Sequence, residues 1–418
     1  MERPKRFGIK EICKNVLAIF LGLALALVAL EILLRVFQPV DYRVRGNKII
    51  LTPDRKYIFD NNKIDKLDKI IYVSRNHLGF RGEPLPRDFA QTLAILTVGG
   101  STTECIQISD GKTWPDILAS KLKRRFKPFW LNNAGIDGHS TFGHLVLMED
   151  YIIRLKPKVV IFLLGANDRY LTDCCALDRK SFKKPAATPW KAFVDTMAWY
   201  SEVVNYAVNL SRYAKALRVR VVHANIDFAK LKTLDIDDDH LKELLEQHKE
   251  HYLNPYGQRL QRLIDMARRH DIEPVFITQP MIYGPAIDPV SGADLGRVDI
   301  GGINGKTSWE ILKLYNEVSK QVAAQNKVLL IDLANELPKT SRYFYDTLHF
   351  TNEGCQAVAE IIFQHLAPFL AKKFPEYAIE VQQAEKPGVT GMAGGKVLQG
   401  PGRRGPLPTG RHPGERGS

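Results

Sequence analysis

Two runs of almost unbroken apolar character, Thr92–Val98 (TLAILTV) and Lys158–Leu164 (KVVIFLL), constrain this chain most. A strand that is apolar on both faces must be covered on both, which calls for a parallel sheet between two helical layers. Trp130–Asn133, Pro274–Thr278 and Val328–Asp332 read as three further strands. Between and after them, Trp114–Phe126, Phe142–Leu155, Tyr256–Arg269, Ser308–Gln325 and Asn352–Phe374 carry helical periodicity. Strands alternating with helices imply an α/β fold with a mostly parallel sheet. Residues 170–255 break the alternation. They are largely helical (Trp190–Leu217, then Asp239–His251) with no clear strand, and read as an insertion or cap within a domain spanning 91–376. The apolar face of the first of these helices (Phe193, Met197, Tyr200, Val204, Ala207) is expected to cover the core or the lip of a cleft.

The second constraint is at the N-terminus. After a basic segment, residues 1–14, the stretch Val16–Leu34 is apolar on every side and interrupted only by Glu31. Nineteen residues at ~1.5 Å each match a bilayer's hydrocarbon thickness. Glu31 stands four residues before Arg35, so the two can pair near the far interface. A cleaved signal peptide has the same basic start, but no small-x-small site follows the apolar run. Residues 15–37 are therefore read as an uncleaved single-pass anchor. The basic start favours a cytoplasmic N-terminus and an extracytoplasmic, periplasm-facing globular part. Residues 38–90 form an N-terminal extension with a turn-rich stretch, Asn76–Gly82.

Charge and cysteine content remove other classes. The chain has 418 residues and a net charge of +13, but the basic excess is concentrated at the two ends. The remainder is too weakly basic for a nucleic-acid binder. Five cysteines with no CxxC pair, Cys174 and Cys175 being adjacent, give neither a disulfide framework nor a cysteine-rich zinc site. Cys105 reads as packing. His139 and His144 lack a third ligand, so no metal is assigned. Residues 377–418, rich in Gly and Pro and without periodicity beyond about Glu385, read as a disordered tail.

Several motif matches fail on context. Gly400-Pro-Gly402-Arg-Arg-Gly405 has no strand before it and no helix after it, and Gly301–Thr307 has the wrong spacing for a phosphate loop. No G-x-S-x-G nucleophile elbow exists. Four segments remain, each at or just past the carboxyl end of an expected strand, where open α/β sheets place ligands. They are Val98-Gly-Gly-Ser-Thr-Thr-Glu104, Asn133-Ala-Gly-Ile-Asp-Gly-His-Ser-Thr141, Leu164-Gly-Ala-Asn-Asp168 and Tyr345-Asp-Thr-Leu-His-Phe-Thr-Asn352. Singly, these read as a helix cap, a glycine loop, an Asn/Asp turn and an aspartate turn beside a surface histidine. An aspartate three residues before a histidine can also fix the imidazole tautomer and leave its other nitrogen as a base.

In this order the four segments resemble the blocks of the SGNH (GDSL-type) hydrolase superfamily over roughly residues 75–370. The blocks are a serine, a glycine, Gly-x-Asn-Asp and Asp-x-x-His. The first block departs from Gly-Asp-Ser, because Gly100 stands where the family carries aspartate, which puts the support of the nucleophile loop in question. Gly-Gly-Ser-Thr-Thr preceded by Gly79-Phe-Arg-Gly82 looks like the membrane-anchored bacterial members. The resemblance implies a three-layer α/β/α sandwich with a five-stranded, mostly parallel, flavodoxin-like sheet. It implies Ser101 as nucleophile, His349 as base and Asp346 as its orienting carboxylate. It further implies an oxyanion hole from the Ser101 N–H, the Gly138 N–H and the Asn167 amide, with Gly138 taken over Gly135, and no cofactor.

The reaction expected is hydrolysis of an O-acyl ester, short-chain such as acetyl, on a small molecule or glycan, through an acyl-enzyme. An O-acyltransferase acting on cell-envelope or exported polysaccharide would use the same residues. A membrane-tethered binding protein without turnover is the non-enzymatic alternative. Membrane lipid is the expected contact of the N-terminal helix.

Overall fold

Leu93–Val98 and Val159–Leu164 are buried along their whole length, as continuous apolar strands must be. The computed structural model describes residues 9–37, 44–46, 48–169, 188–218, 225–236 and 238–379. The expected tail beyond Ile379, Cys174–Cys175 and parts of the 170–255 insertion lie outside the described residues. Ten strands are described: β1 (Val44–Arg45), β2 (Lys48–Ile49), β3 (Arg55–Asp60), β4 (Ile70–Arg75), β5 (Arg81–Gly82), β6 (Leu93–Val98), β7 (Phe129–Asn133), β8 (Val159–Leu164), β9 (Glu273–Thr278) and β10 (Leu329–Ile331).

The central sheet has the order β10-β9-β8-β6-β7-β5. Its five strands from β6 to β10 are parallel, with registers such as Thr97↔Asn133, Val98↔Phe162, Leu164↔Thr278 and Ile331↔Ile277. This is the expected mostly parallel sheet, extended by one strand. β5 adds a two-residue antiparallel edge, pairing Arg81 with Asn133. β1–β2 and β3–β4 form separate antiparallel pairs, so the 38–90 extension contains strand structure.

Alternate residues of the parallel strands feed two cores. Leu93, Ile95, Ile161, Leu163, Val275 and Ile277 pack with the helices Trp114–Leu122 and Asn352–Lys373. Ala94, Leu96, Val160, Phe162 and Phe276 pack with Thr141–Leu147, Asn254–Arg268 and Gly305–Gln325. The result is three layers, helix on sheet on helix. Because β6 pairs with both β7 and β8, connections leave β6 and β8 toward opposite sides, and the crevice at their carboxyl ends is where such folds bind ligands.

Helix boundaries differ from the sequence reading where hydrogen bonding changes step. Thr141–Leu147 passes through a π-helical turn, Met148–Ile152, before Ile153–Leu155. The expected single helix Trp190–Leu217 is two, Pro189–Tyr200 and Glu202–Arg218, broken at the extended Ser201. Its apolar face does not cover the core: Phe193 and Tyr200 are exposed, as is Ala207.

Candidate active site

Strand β6 runs directly into Gly99-Gly100, and Ser101 opens a four-residue helix that Cys105 closes in a left-handed conformation. Neither glycine has room for a side chain. A Cβ on Gly99 would stand 2.1 Å from Thr103 Oγ1, and one on Gly100 would stand 2.8 Å from Asn167 Nδ2. At position 100 the Asn167 amide stands in the space a side chain would enter. At the head of this short helix the Ser101 N–H donates to no described residue.

The turn is held from behind by Arg81, which sequence reasoning left unassigned. Its buried guanidinium donates to the carbonyls of Glu104, Cys105 and Ile108, each at 2.8 Å, and to the Asp110 carboxylate at 2.8 Å. Glu104 is fully buried and paired with Arg75, and its second oxygen accepts the Asp137 N–H at 2.5 Å. One buried carboxylate therefore ties the serine turn to the glycine loop. Trp114 Nε1 donates to Thr102 O at 2.9 Å, and Thr102 Oγ1 meets the Gln279 side chain at 3.0 Å. Arg81 lies in the Gly79–Gly82 stretch and Glu104 ends the first block. The only sequence signal for either was that position.

The histidine comes from the segment between β10 and the helix Asn352–Lys373. A narrow loop closed by the Phe344–Phe350 bridge holds it, and Thr351 caps the following helix by accepting from Gly354 N. The Asp346 carboxylate receives His349 Nδ1 at 2.7 Å and the backbone N–H groups of Leu348 and His349 at 3.0 and 2.8 Å. Burial works against ionisation of Asp346. The His349 charge and these hydrogen bonds outweigh it and hold the carboxyl below its ordinary range. Tyr345 stacks on the imidazole, with centroids 5.6 Å apart. The other ring nitrogen, His349 Nε2, lies 2.7 Å from Ser101 Oγ, across 248 positions of chain. A hydroxyl on an imidazole that is itself held by a carboxylate can lose its proton as it attacks.

Two more sequence-identified residues flank the serine. Gly138 has φ of 75°, open space where a Cβ would be, and an N–H that donates to no described residue. Gly135 differs: its Cβ position lies 2.4 Å from Glu104 N, so it is a packing glycine. Asn167 follows β8 and donates from Nδ2 to His139 O at 2.8 Å, which sets the amide beside Gly100. Its neighbour Asp168 is turned away, accepting from Thr141 Oγ1 at 2.5 Å and pairing with Arg259 at 3.2 Å. Cys105 is buried and its Sγ contacts Thr102 O, in keeping with a packing role.

The doubly wound sheet and the loop after β10 together bring Ser101, His349 and Asp346 into one hydrogen-bonded line. The chain belongs to the GDSL-like lipase/acylhydrolase family, whose model matches residues 97–357, and it is a carboxylic-ester hydrolase. Among solved structures it is similar to TesA, with 15% identity over 66% of this chain and 99% of that one, at a TM-score of 0.36. It is also similar to the acetyl xylan esterase AlAXEase (15% identity, 65% of this chain and 98% of that one, TM-score 0.36). A catalytic mutant of Axe2, an acetylxylan esterase from Geobacillus stearothermophilus, gives 14% identity over 65% of this chain and 93% of that one, at a TM-score of 0.37. No curated protein sequence matches the chain.

Proposed function

We propose that Ser101, His349 and Asp346 are the catalytic triad of an O-acyl esterase. The observation that carries this reading is the unbroken line from Ser101 Oγ through His349 Nε2 and Nδ1 to the Asp346 carboxylate. Ser101 Oγ attacks the acyl carbon while its proton passes to Nε2. The oxyanion is received by the N–H groups of Ser101 and Gly138 and by Asn167 Nδ2, each donor contributing on the order of 10²–10³ in rate. The tetrahedral species collapses, and the alcohol leaves with the proton from Nε2. Water then gives a proton to Nε2, attacks the acyl-enzyme, and releases the acid and free Ser101.

The substrate proposed is a short O-acyl group, acetyl above all, on a carbohydrate. The described helix Ile9–Phe37 is long and apolar enough to cross a membrane, a property that a retained anchor shares with a signal sequence. The reading adopted is an anchor with the catalytic domain outside the cytoplasm, within reach of acylated envelope glycans.

The test is hydrolysis of p-nitrophenyl acetate and of an acetylated xylo-oligosaccharide by the full chain. Ser101→Ala and His349→Ala are each expected to lower kcat on the order of 10⁴–10⁶-fold. Undiminished turnover by Ser101→Ala overturns the mechanism. A wild type that moves acetyl only to a sugar hydroxyl and never to water is an O-acyltransferase working through the same residues.

A further inference from the structure

The twelve-residue helix Pro189–Tyr200 is amphipathic in the wrong sense for a soluble protein. Its protein-facing side carries Ala198, which is buried, and half-buried Asp195, which pairs at 2.8 Å with the partly exposed Lys191. Positions 191, 195 and 198 share one face by helical spacing. The outward side carries Trp190, 71% exposed, Phe193, 54%, and Tyr200, 68%. Trp190 and Phe193 stack on one another, with ring centroids 5.7 Å apart. Three large aromatic side chains clustered on the outward side of one helix call for a partner that is not water.

The position of the helix identifies that partner. Its carboxyl end abuts the last turns of the apolar helix Ile9–Phe37: Arg35 Nη2 donates to Tyr200 O at 2.5 Å. Glu31, the one charge within the apolar run, accepts from Ser201 Oγ at 2.8 Å and from the N–H groups of Glu202 and Val203 at 2.9 and 3.1 Å. It thereby caps the helix Glu202–Arg218, whose first N–H groups have no partner inside their own helix. Nearby, the charges of Lys48 and Arg45 lie 4.9 and 6.0 Å from the Trp199 ring centroid. Cations and Trp/Tyr side chains at the end of an apolar span are the composition of a bilayer interface.

We propose that Pro189–Tyr200 is a second membrane contact, an interfacial helix lying on the bilayer with Trp190, Phe193 and Tyr200 at the headgroup–acyl boundary. Ile9–Phe37 stays on the mature chain, because its Glu31 is part of the folded structure. The helix extends about 18 Å from the anchor, at 1.5 Å per residue, and holds the domain to the surface at a second point. This inference rests on the membrane-anchor reading given above and adds the interfacial helix and the retention of the anchor.

The experiment uses the full chain in vesicles of phosphatidylcholine and phosphatidylglycerol, with and without bromine on the acyl chains. Of the five tryptophans, Trp114, Trp130 and Trp309 are 0%, 2% and 7% exposed, so the probe is Trp190, with Trp199 as control. Brominated chains are expected to quench the emission, Trp190→Phe to remove most of that quenching, and Trp199→Phe to leave most of it. Intact mass is expected to include residues 9–37. A chain that does not float with vesicles, or lacks those residues, overturns the anchor and this inference together. A chain that floats but whose quenching is untouched by Trp190→Phe overturns the interfacial helix alone. So does a Trp190 open to aqueous iodide, or one shielded from both quenchers as in a contact between two copies.

Discussion

Gly100 is the residue at which this chain leaves its family's pattern, and its surroundings make the departure testable. A Cβ there would press on Asn167 Nδ2 and stand 3.1 Å from His139 O. Restoring the family residue with Gly100→Asp is therefore expected to push the amide out of line. The loss should fall on kcat by about 10²-fold, the worth of one oxyanion donor, with KM little changed. A kcat within a factor of two of wild type would show that the amide is not held by this contact. At Asp346 the expectation is different, because the carboxylate fixes the tautomer of His349. Asp346→Asn should keep the fold and lower kcat about 10⁴-fold. Its melting curve at pH 7 separates that outcome from misfolding. The blocks that hold Ser101, Asn167, Asp346 and His349 are each ambiguous alone, and only their order along the chain singles these residues out. Arg81 was not legible, because its acceptors are main-chain carbonyls of residues 23 to 27 positions away, which carry no side-chain identity.

Among the elements, the continuous strands were legible because burial on both faces demands an unbroken apolar run. β5 was not, since two residues have no period. The apolar face of Pro189–Tyr200 is legible in the sequence as cover for the core or a cleft lip, yet Phe193 and Tyr200 are exposed. Periodicity reports that a face avoids water, not whether protein or lipid covers it. The clamp behind the serine turn joins three elements: β4 through Arg75, β5 through Arg81, and the turn itself through Glu104. Removing one partner of a buried charge network typically costs about 3–5 kcal/mol. Arg81→Met should therefore lower Tm by roughly 10 °C, at about 2–4 °C per kcal/mol for a domain of this size. Arg81→Lys should rescue only part of it, because an ammonium with three donors cannot span three carbonyls and a carboxylate as the guanidinium fork does. Full rescue by lysine, read as equal thermal midpoints, would reduce the role of Arg81 to charge alone.

For the molecule as a whole, pH dependence follows from histidines buried in the packed layers. His144 is 2% exposed, beneath the serine turn. Burial lowers its pKa to about 4, against the opposing pull of the Asp168 charge and the Gly99 backbone. His248, bonded to the Tyr315 hydroxyl at 3.0 Å, is lowered to about 4 by burial and by the Arg169 charge. Both are bases whose folded values lie below the unfolded value of about 6.5. Between these limits the unfolded chain binds more protons, so stability is complete above pH ~6.5 and is lost progressively as pH falls toward 4. For His144 the full loss amounts to about 3 kcal/mol. Asp346, a carboxyl with a lowered folded value, acts in the same direction only at lower pH, below about 3.9. Thermal midpoints between pH 7 and 5 should therefore fall for the wild type well before its carboxylates titrate. His144→Leu, which removes a titrating group without adding charge, should flatten that slope, and a second substitution, His248→Gln, should flatten it further. A slope that survives both substitutions would place the acid sensitivity elsewhere in the chain.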